Sequence, residues 1–490
     1  MWDGNDKIFF MKILFINPPL HNFLGGCHSE TTPLGLMYLA AILEKNNYEA
    51  KILDAERLLM NWDDLALKIK TENPNIIGIG GMTLGTPAIL KTAAVCKNVL
   101  PNVKIMVGGA GPTFEPERML QKESAIDLVV RFEAENNILD IINYFTGAKD
   151  IKDVKGIAYQ EAKQIIINPP AEYVKDLDSI PLPAYHLLEP SFSNYSGMHR
   201  GFAYYGMQMP NAVIMASRGC PHRCIFCSNH KTPNRRRDPK KIVDEIEFCL
   251  NLGAKSIQFY DDEFIGTSPV QNSWVEAICD EIIARNLQHI SYLVQGRCSP
   301  FIKLEILQKM KTAGFKWVWW GVESGSQKML DLMKKDTTLA DIKNTFKIAH
   351  AAGLKSLMFI IIGLPGETKK DVYETGRLIE NVNPDQVRFH IITPFPGSDL
   401  WEKLKAKNQI EDYDFLHYNT RFSAVHHTDE LSAKEIENLY KMMVLRYESN
   451  KKNLLKVMLK SFYQPSEWKN LLPRLQKVFK IIPQWIKIKL

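Results

Sequence analysis

Three cysteines stand at n, n+4 and n+7 in the stretch Cys220-Pro221-His222-Arg223-Cys224-Ile225-Phe226-Cys227. A cubane iron–sulfur cluster is normally held by four cysteine thiolates. Three from one loop leave one iron without a protein ligand. An open iron can bind a small molecule through its own nitrogen and oxygen, so the spacing suggests a cluster that does chemistry. A zinc loop is the other reading. Zinc takes paired Cys-x2-4-Cys units or a nearby Cys/His pair, and His222 and His230 are close enough in sequence to serve. The remaining cysteines, Cys27, Cys96, Cys249, Cys279 and Cys298, are scattered and read as small core or surface residues.

The rest of the chain must position this loop. At 490 residues it exceeds one typical core, so two or three domains are expected. A hydrophobic content of 45% and a charged content of 24% are ordinary for a soluble globular protein. No apolar run reaches the ~20 residues that span a bilayer. Ile8-Phe9-Phe10 is too short for the core of a signal peptide, and Met11-Lys12-Ile13-Leu14-Phe15-Ile16 reads as a start. Eight cysteines make no disulfide framework, which points to a reducing, cytoplasmic compartment. The net charge of +6 is uneven. Residues 451–490 hold ten Lys/Arg and one acid, Glu467, while residues 1–450 sum to −3.

Strand-length apolar runs alternate with helical patterns from residue 12 to 145. The strands are expected at Lys12–Asn17, Lys51–Asp54, Asn75–Gly81, Val103–Gly109 and Asp127–Phe132. Such alternation predicts an α/β fold with a doubly wound, Rossmann-like parallel sheet, whose ligands bind beyond the carboxyl ends of the strands. Residues 146–205, with a hairpin near Gly156–Asn168 and several prolines, read as a connector. Six more strand–helix units follow over 206–408, with strands at Val213–Ser217, Ser256–Asp261, Tyr292–Arg297, Trp317–Glu323, Ser356–Gly363 and Gln386–Thr393. They predict a partial (β/α)6 barrel with its chemistry at the strand carboxyl ends. Residues 409–490 read as a helical, basic C-terminal region, with helices at Leu431–Tyr447 and Lys451–Phe462.

Ser217-Arg218-Gly219-Cys220-Pro221-x-x-Cys224-x-Phe226-Cys227 resembles the signature of radical S-adenosylmethionine (SAM) enzymes, Cys-x3-Cys-x-aromatic-Cys. The Ser-Arg-Gly-Cys-Pro lead-in is common in their cobalamin-associated branch. Pro33-Leu34-Gly35-Leu36-Met37-Tyr38-Leu39-Ala40-Ala41 and Val107-Gly108-Gly109-Ala110-Gly111-Pro112-Thr113 resemble the cobalamin-binding domain of B12-dependent members. The resemblance implies a [4Fe-4S] cluster on Cys220, Cys224 and Cys227, whose open iron chelates the amino and carboxylate groups of SAM. It implies SAM contacts by Phe226, Asp262, Glu323, Ser324 and Gly363, with Glu323 on the ribose and Gly363 admitting the adenine edge; Arg297, at the end of the third strand, either meets the SAM carboxylate or pairs with Asp261 or Glu323. It further implies that Met82, Thr83, Thr86, Gly108, Gly109, Gly111 and Thr113 border the corrin and its nucleotide tail. Two departures stand out. The Asp-x-His-x-x-Gly motif that supplies histidine to cobalt is missing, with His21 and His28 at the wrong spacing. Arg131-Phe132-Glu133-Ala134-Glu135 stands where relatives show Gly-Glu-Gly-Glu.

These readings predict a cobalamin-dependent radical SAM enzyme, a methyltransferase acting on an unactivated carbon through a 5′-deoxyadenosyl radical. A ring-forming enzyme resembling the anaerobic magnesium-protoporphyrin ester cyclase is the alternative. A non-catalytic cluster or cobalamin sensor is the alternative of another class. A small-molecule or lipid substrate and an electron donor such as flavodoxin or ferredoxin are expected. No nucleic-acid motif accompanies the basic tail. In that tail Lys452, Lys456 and Lys460 stack one turn apart, opposite Leu454, Leu455, Met458, Leu459 and Phe462. One reading is peripheral contact with the inner membrane surface. The other is a solvated helix face packed on the barrel.

Overall fold

The computed structural model describes residues 11–26, 31–195, 207–229, 232–421 and 423–448. The first sheet follows the alternation read from sequence. It comprises β1 (Lys12–Asn17), β2 (Glu49–Asp54), β3 (Ile76–Gly80), β4 (Lys104–Gly108) and β5 (Leu128–Val130), then β6 (Ile157–Glu161), β7 (Gln164–Ile167) and β8 (Leu188–Glu189). The order is β7-β6-β5-β4-β3-β1-β2-β8. Pairing from β5 through β2 is parallel, and the order reverses at β1, as in doubly wound sheets. Alternate side chains of β1 divide between two cores. Ile13 and Phe15 face one, and Leu14 and Ile16 face the other, each at most 1% exposed.

The stretch 146–195, expected to be a connector, instead completes this sheet. β6 and β7 form the hairpin, and β6 pairs antiparallel to β5. β8 adds a two-residue edge beside β2. The physical reason is burial: Ile157, Ala158 and Tyr159 are apolar on both faces and continue the cores.

The second sheet holds β9 (Asn211–Ile214), β12 (Ser256–Phe259), β13 (Ser291–Arg297), β14 (Phe315–Glu323), β15 (Lys355–Ile362) and β16 (Gln386–Ile391). All pairs are parallel, in the order β16-β15-β14-β13-β12-β9. The first barrel strand ends earlier than read from sequence. Ser217–Arg218 forms a separate strand, β10, antiparallel to β11 (Arg235–Arg236). Helices start where side chains can satisfy their free N–H groups. Thr338 and Thr368 each form a capping box with an Asp three residues on, and Asp238 caps Pro239–Asn251.

The C-terminal helix Ala433–Glu448 packs on the barrel through Ile436, Leu439 and Met443. The basic segment Lys451–Phe462 lies outside the described residues. Among the described residues, no helix is long and apolar enough to cross a membrane.

The domains also touch directly. Gly397, at φ +86°, ends the last barrel turn against the ring of Phe114, and a Cβ there would collide with that ring. Gly397→Ala is expected to cost about 1–3 kcal/mol from overpacking and backbone strain. Denaturant unfolding measures it. Adding Phe114→Ala should return part of the loss, whereas additive losses would place the strain elsewhere.

Candidate functional site

The cysteine loop is clamped from several directions. Gly219 stands at φ +87°, and a Cβ there would collide with the carbonyl oxygen of Pro233, so only glycine fits. Its N–H donates to Asp262 Oδ2 at 2.9 Å, and the Cys220 N–H donates to Thr232 Oγ1 at 2.9 Å. Further on, the Ile225 N–H donates to the Met333 carbonyl at 3.0 Å, while its own carbonyl accepts from the Leu400 N–H at 2.8 Å. The loop is therefore tied to the turn after β12, to the end of the helix Gln327–Leu332 and to the last barrel helix.

Cys220, Cys224 and Cys227 line one cavity of about 340 Å³ with Phe226, Asp262, Glu263, Arg297, Glu323 and Lys335. The sequence-predicted residues thus converge from the loop and from the ends of β12, β13 and β14. Burial and the neighbouring Glu263 carboxylate push the Cys220 thiol up to about 12. Arg297 points Nη1 at Cys224 Sγ, 3.9 Å away, and its buried Nη2 has no partner among the described residues. It pairs with neither Asp261 nor Glu323. Glu263 Oε2 lies 3.0 Å from His222 Nε2, while its Oε1 is buried and unpartnered among the described residues. An orphaned guanidinium nitrogen and an orphaned carboxylate oxygen, both beside three thiols, suit a cluster carrying a ligand with amino and carboxylate groups. Most buried polar atoms in folded proteins are hydrogen-bonded.

Glu323 sits at φ +70°, an unusual backbone for a residue with a Cβ. Lys335 Nζ donates to its Oε1 at 2.9 Å, both side chains being 9% exposed. Burial lowers the Lys335 pKa, but Glu323 and the Cys224 thiolate together outweigh it and the net shift is upward. Lys335 was missed by sequence reading. Its only signal is that Lys334-Lys335-Asp336-Thr337 follows a helix that begins just after Glu323-Ser324-Gly325.

A second cavity of about 580 Å³ lies between the two sheets. Asn17, Gly80, Gly81, Met82, Gly108, Gly109 and Phe132 line it from the carboxyl ends of the first sheet. Arg218, Gly219, Asn229, Thr232, Arg235, Tyr260 and Asp262 line it from the second domain. The Arg131–Glu135 stretch that departs from the glycine pattern has a clear role here. Glu133 takes Arg235 in a two-pronged pair, and Glu135 takes Arg218 at 2.7 Å. Phe132, at φ +62°, turns its ring onto Phe114 edge-to-face at 5.9 Å. The cavity floor is backbone-rich, and Gly109 at φ +99° packs so tightly on Gly81 that no Cβ fits. A glycine-lined floor under an apolar wall suits a flat macrocycle such as a corrin. His21 pairs with Glu56 at 2.9 Å and is not among the lining residues; His28 lies outside the described residues.

Not every predicted residue reaches a cavity wall. Met82, Gly108 and Gly109 do, whereas Thr83, Gly111 and Thr113 are buried behind them. Thr113 braces the loop by accepting the Phe132 N–H at 3.0 Å. Thr86 lines a separate cleft with Arg118 and Phe415. Ser324 is buried near Thr375 and outside the cysteine cavity. Gly363 also lies outside it: the space its missing Cβ leaves is taken by Ile436, and its N–H and carbonyl engage Glu367 and His426. That space holds the helix Ala433–Glu448, which the sequence predicted without saying where it would pack.

The sequence matches the family model of the Radical SAM superfamily over residues 214–379 and that of the B12 binding domain over residues 24–142. It is 30% identical over 444 residues to an uncharacterized methyltransferase of Pyrococcus horikoshii, covering 89% of this chain and 93% of that protein. The chain belongs to the B12-binding radical SAM family. A further relative in the family, the anaerobic magnesium-protoporphyrin IX monomethyl ester cyclase of Rubrivivax gelatinosus, is 31% identical over 420 residues, 84% of this chain and 72% of that one. The same fold occurs in the cobalamin-dependent S-adenosylmethionine radical enzyme OxsB, solved with aqua-cobalamin and S-adenosylmethionine. The match has a TM-score of 0.75 at 18% identity, over 96% of this chain and 72% of that one.

Asp261 is the brace beneath this family site. It accepts from Ser217 Oγ at 2.5 Å and from the Ala216 N–H at 3.3 Å, and burial pushes its carboxyl up to about 7. A carboxyl raised in the folded state binds more protons there than when unfolded. Its contribution to stability therefore falls as pH rises from about 4 to about 7, by at most about 1.4 kcal/mol per pH unit. Asp261→Asn is expected to flatten that fall. Urea unfolding at about pH 4.5 and about pH 6.5 tests this, and an equal pH slope in both proteins would contradict it.

Proposed function

We propose that this chain is a cobalamin-dependent radical SAM methyltransferase acting on an unactivated carbon of a small-molecule substrate. Asp262 carries the reading, because it lines both cavities. A group in the glycine-lined cavity and one in the cysteine cavity would then share a wall, so a substrate carbon between them could be reached from both sides. When bound, the reduced [4Fe-4S] cluster and SAM supply a radical that removes hydrogen from carbon, and cobalamin supplies a carrier for the methyl group.

The chain's own residues bind, orient and seal. Cys220, Cys224 and Cys227 would hold three irons and leave the fourth for SAM. Arg297 Nη2 would meet the SAM carboxylate, and Asp262 with Glu263 would meet its ammonium group. Glu323, fixed by Lys335, has a second oxygen for ribose hydroxyls. Phe226 closes the loop over the same space. On the other side Met82, Gly108 and Gly109 would border the corrin, while Thr83, Thr86, Gly111 and Thr113 shape the loops behind it. Flavodoxin or ferredoxin would deliver the electron, in a cytoplasmic setting. Docking of residues 451–490 on the inner membrane surface would favour a lipid over a soluble substrate; deleting them would then lower liposome binding.

A second reading, radical cyclisation, is favoured by the similarity to the ester cyclase. The two separate by products. Methylation predicts S-adenosylhomocysteine and 5′-deoxyadenosine in about equal amounts per coupled turnover, because one SAM gives a methyl group and another the radical. Cyclisation predicts 5′-deoxyadenosine without matching S-adenosylhomocysteine. Before either can be measured, each of Cys220→Ala, Cys224→Ala and Cys227→Ala should abolish SAM cleavage under anaerobic reduction. Full cleavage by the triple variant would remove the proposed function.

A further inference from the structure

Charge is distributed unevenly around the cysteine cavity. His222, Asp262, Glu263, Arg297 and Glu323 belong to the cysteine loop or to the segments that end β12, β13 and β14, and Lys335 follows the helix after β14. The remaining stretch of wall comes from β15, from β16 and the turn after it, and from Thr420. There Phe359, Ile361, Ile391, Ile392 and Phe395 are apolar, and no lining residue is a carboxylate, lysine or arginine. Thr393 turns its hydroxyl back to the Ile391 carbonyl at 3.3 Å. Only His390 and Thr420 bring polar side chains to this wall.

That pair is built rather than incidental. His390 Nδ1 lies 3.0 Å from Thr420 Oγ1, and its ring packs 5.7 Å from Phe359, which meets Trp319 edge-to-face at 5.9 Å. Thr420 sits at φ +60°, a genuine outlier for a β-branched side chain. The Thr420 carbonyl is held there by the Ile391 N–H at 2.7 Å. Strain of this kind, about 1–3 kcal/mol, persists where surrounding structure imposes it, often at functional sites. Burial pushes the His390 pKa down to about 4, helped by the Arg421 and Arg388 charges, so the ring is neutral near pH 7. Its Nε2 has no partner among the described residues. A hydroxyl, which both donates and accepts, satisfies that nitrogen in either tautomer.

We propose that His390, oriented by Thr420, is the substrate-reading residue of this cavity and hydrogen-bonds a hydroxyl group on an otherwise apolar, uncharged molecule. The body of that molecule packs against Trp319, Phe359 and Phe395. The proposal rests on the reading of the cavity as the SAM and cluster site. It narrows the substrate to a class that the cofactor-binding residues do not specify.

The test uses reconstituted holoenzyme with SAM present and three probes: 2-naphthol, naphthalene and 2-naphthoate. Equilibrium dialysis gives each dissociation constant. We expect 2-naphthol to bind about 5–10-fold tighter than naphthalene, the size of one hydrogen bond to a buried neutral group, and 2-naphthoate to bind weakest. His390→Phe should erase the naphthol preference and leave the SAM dissociation constant where it was. His390→Gln, which keeps a polar end, should retain part of the preference, and Thr420→Val should reduce it more than Thr420→Ser. Equal binding of naphthol and naphthalene, or binding of neither, would overturn the proposal. So would tighter binding of 2-naphthoate, which would bring Arg388 or Arg421 into the site. A SAM affinity that falls in His390→Phe would make His390 a SAM contact instead. Absence of the cluster or of SAM binding in the parent enzyme would strike the underlying reading, and that failure is seen before any probe is added.

Discussion

Two interdomain ion pairs hold this molecule in its working arrangement. Glu133 with Arg235 and Glu135 with Arg218 join the end of β5 to the strands that flank the cysteine loop. Each partner is largely withdrawn from water, so removing one charge would strand the other, at about 3–5 kcal/mol. The consequence is geometric. Two parallel sheets, each of which binds ligands beyond its strand carboxyl ends, are made to face one another across a single cavity. Arg218 also stacks over the Tyr38 ring at 5.0 Å, which extends the joint into the core of the first domain.

From that joint, order passes along the chain into the cluster loop. Arg218 precedes Gly219, whose N–H reaches Asp262, and Cys220 comes next. Asp262 is thus tied to the loop by the same bond that places it on both cavity walls. Positions further from the joint are set by other means. Glu323 and Thr420 both adopt left-handed backbone. One is compensated by Lys335 and the other by the Ile391 N–H, so strain is placed where side chains must point into the cavity against local preference.

The barrel sheet has six strands. The segment after residue 408 pairs Ile410 with His426 in an isolated bridge and brings His426 Nε2 to the Gly363 carbonyl at 3.0 Å. The helix Ala433–Glu448 then fills the space beside Gly363 with Ile436. A region without any motif therefore supplies both a structural plug and, through Thr420, part of the cavity wall.

What depends on near neighbours was legible in the residues alone. The spacing of Cys220, Cys224 and Cys227, the alternation that makes both sheets parallel, and the capping residues at Thr338 and Thr368 are local, because periodicity and short motifs act within a few residues. Arg297 and Glu323 were legible as strand-end residues of a barrel for the same reason. Only tertiary structure decided which groups met. Lys335 joins Glu323 across twelve positions, His390 meets Thr420 across thirty, and Glu133 meets Arg235 across more than a hundred. The stretch 146–195 looked like a connector because its strands are short and split by turns, and it became sheet only when β5 offered an unpaired edge. Gly363 looked like room for a ligand, but a glycine states only that space is needed, and the fold gave that space to Ile436. Contacts of this range are set by how elements pack, and packing is decided by burial over the whole chain rather than by any one stretch.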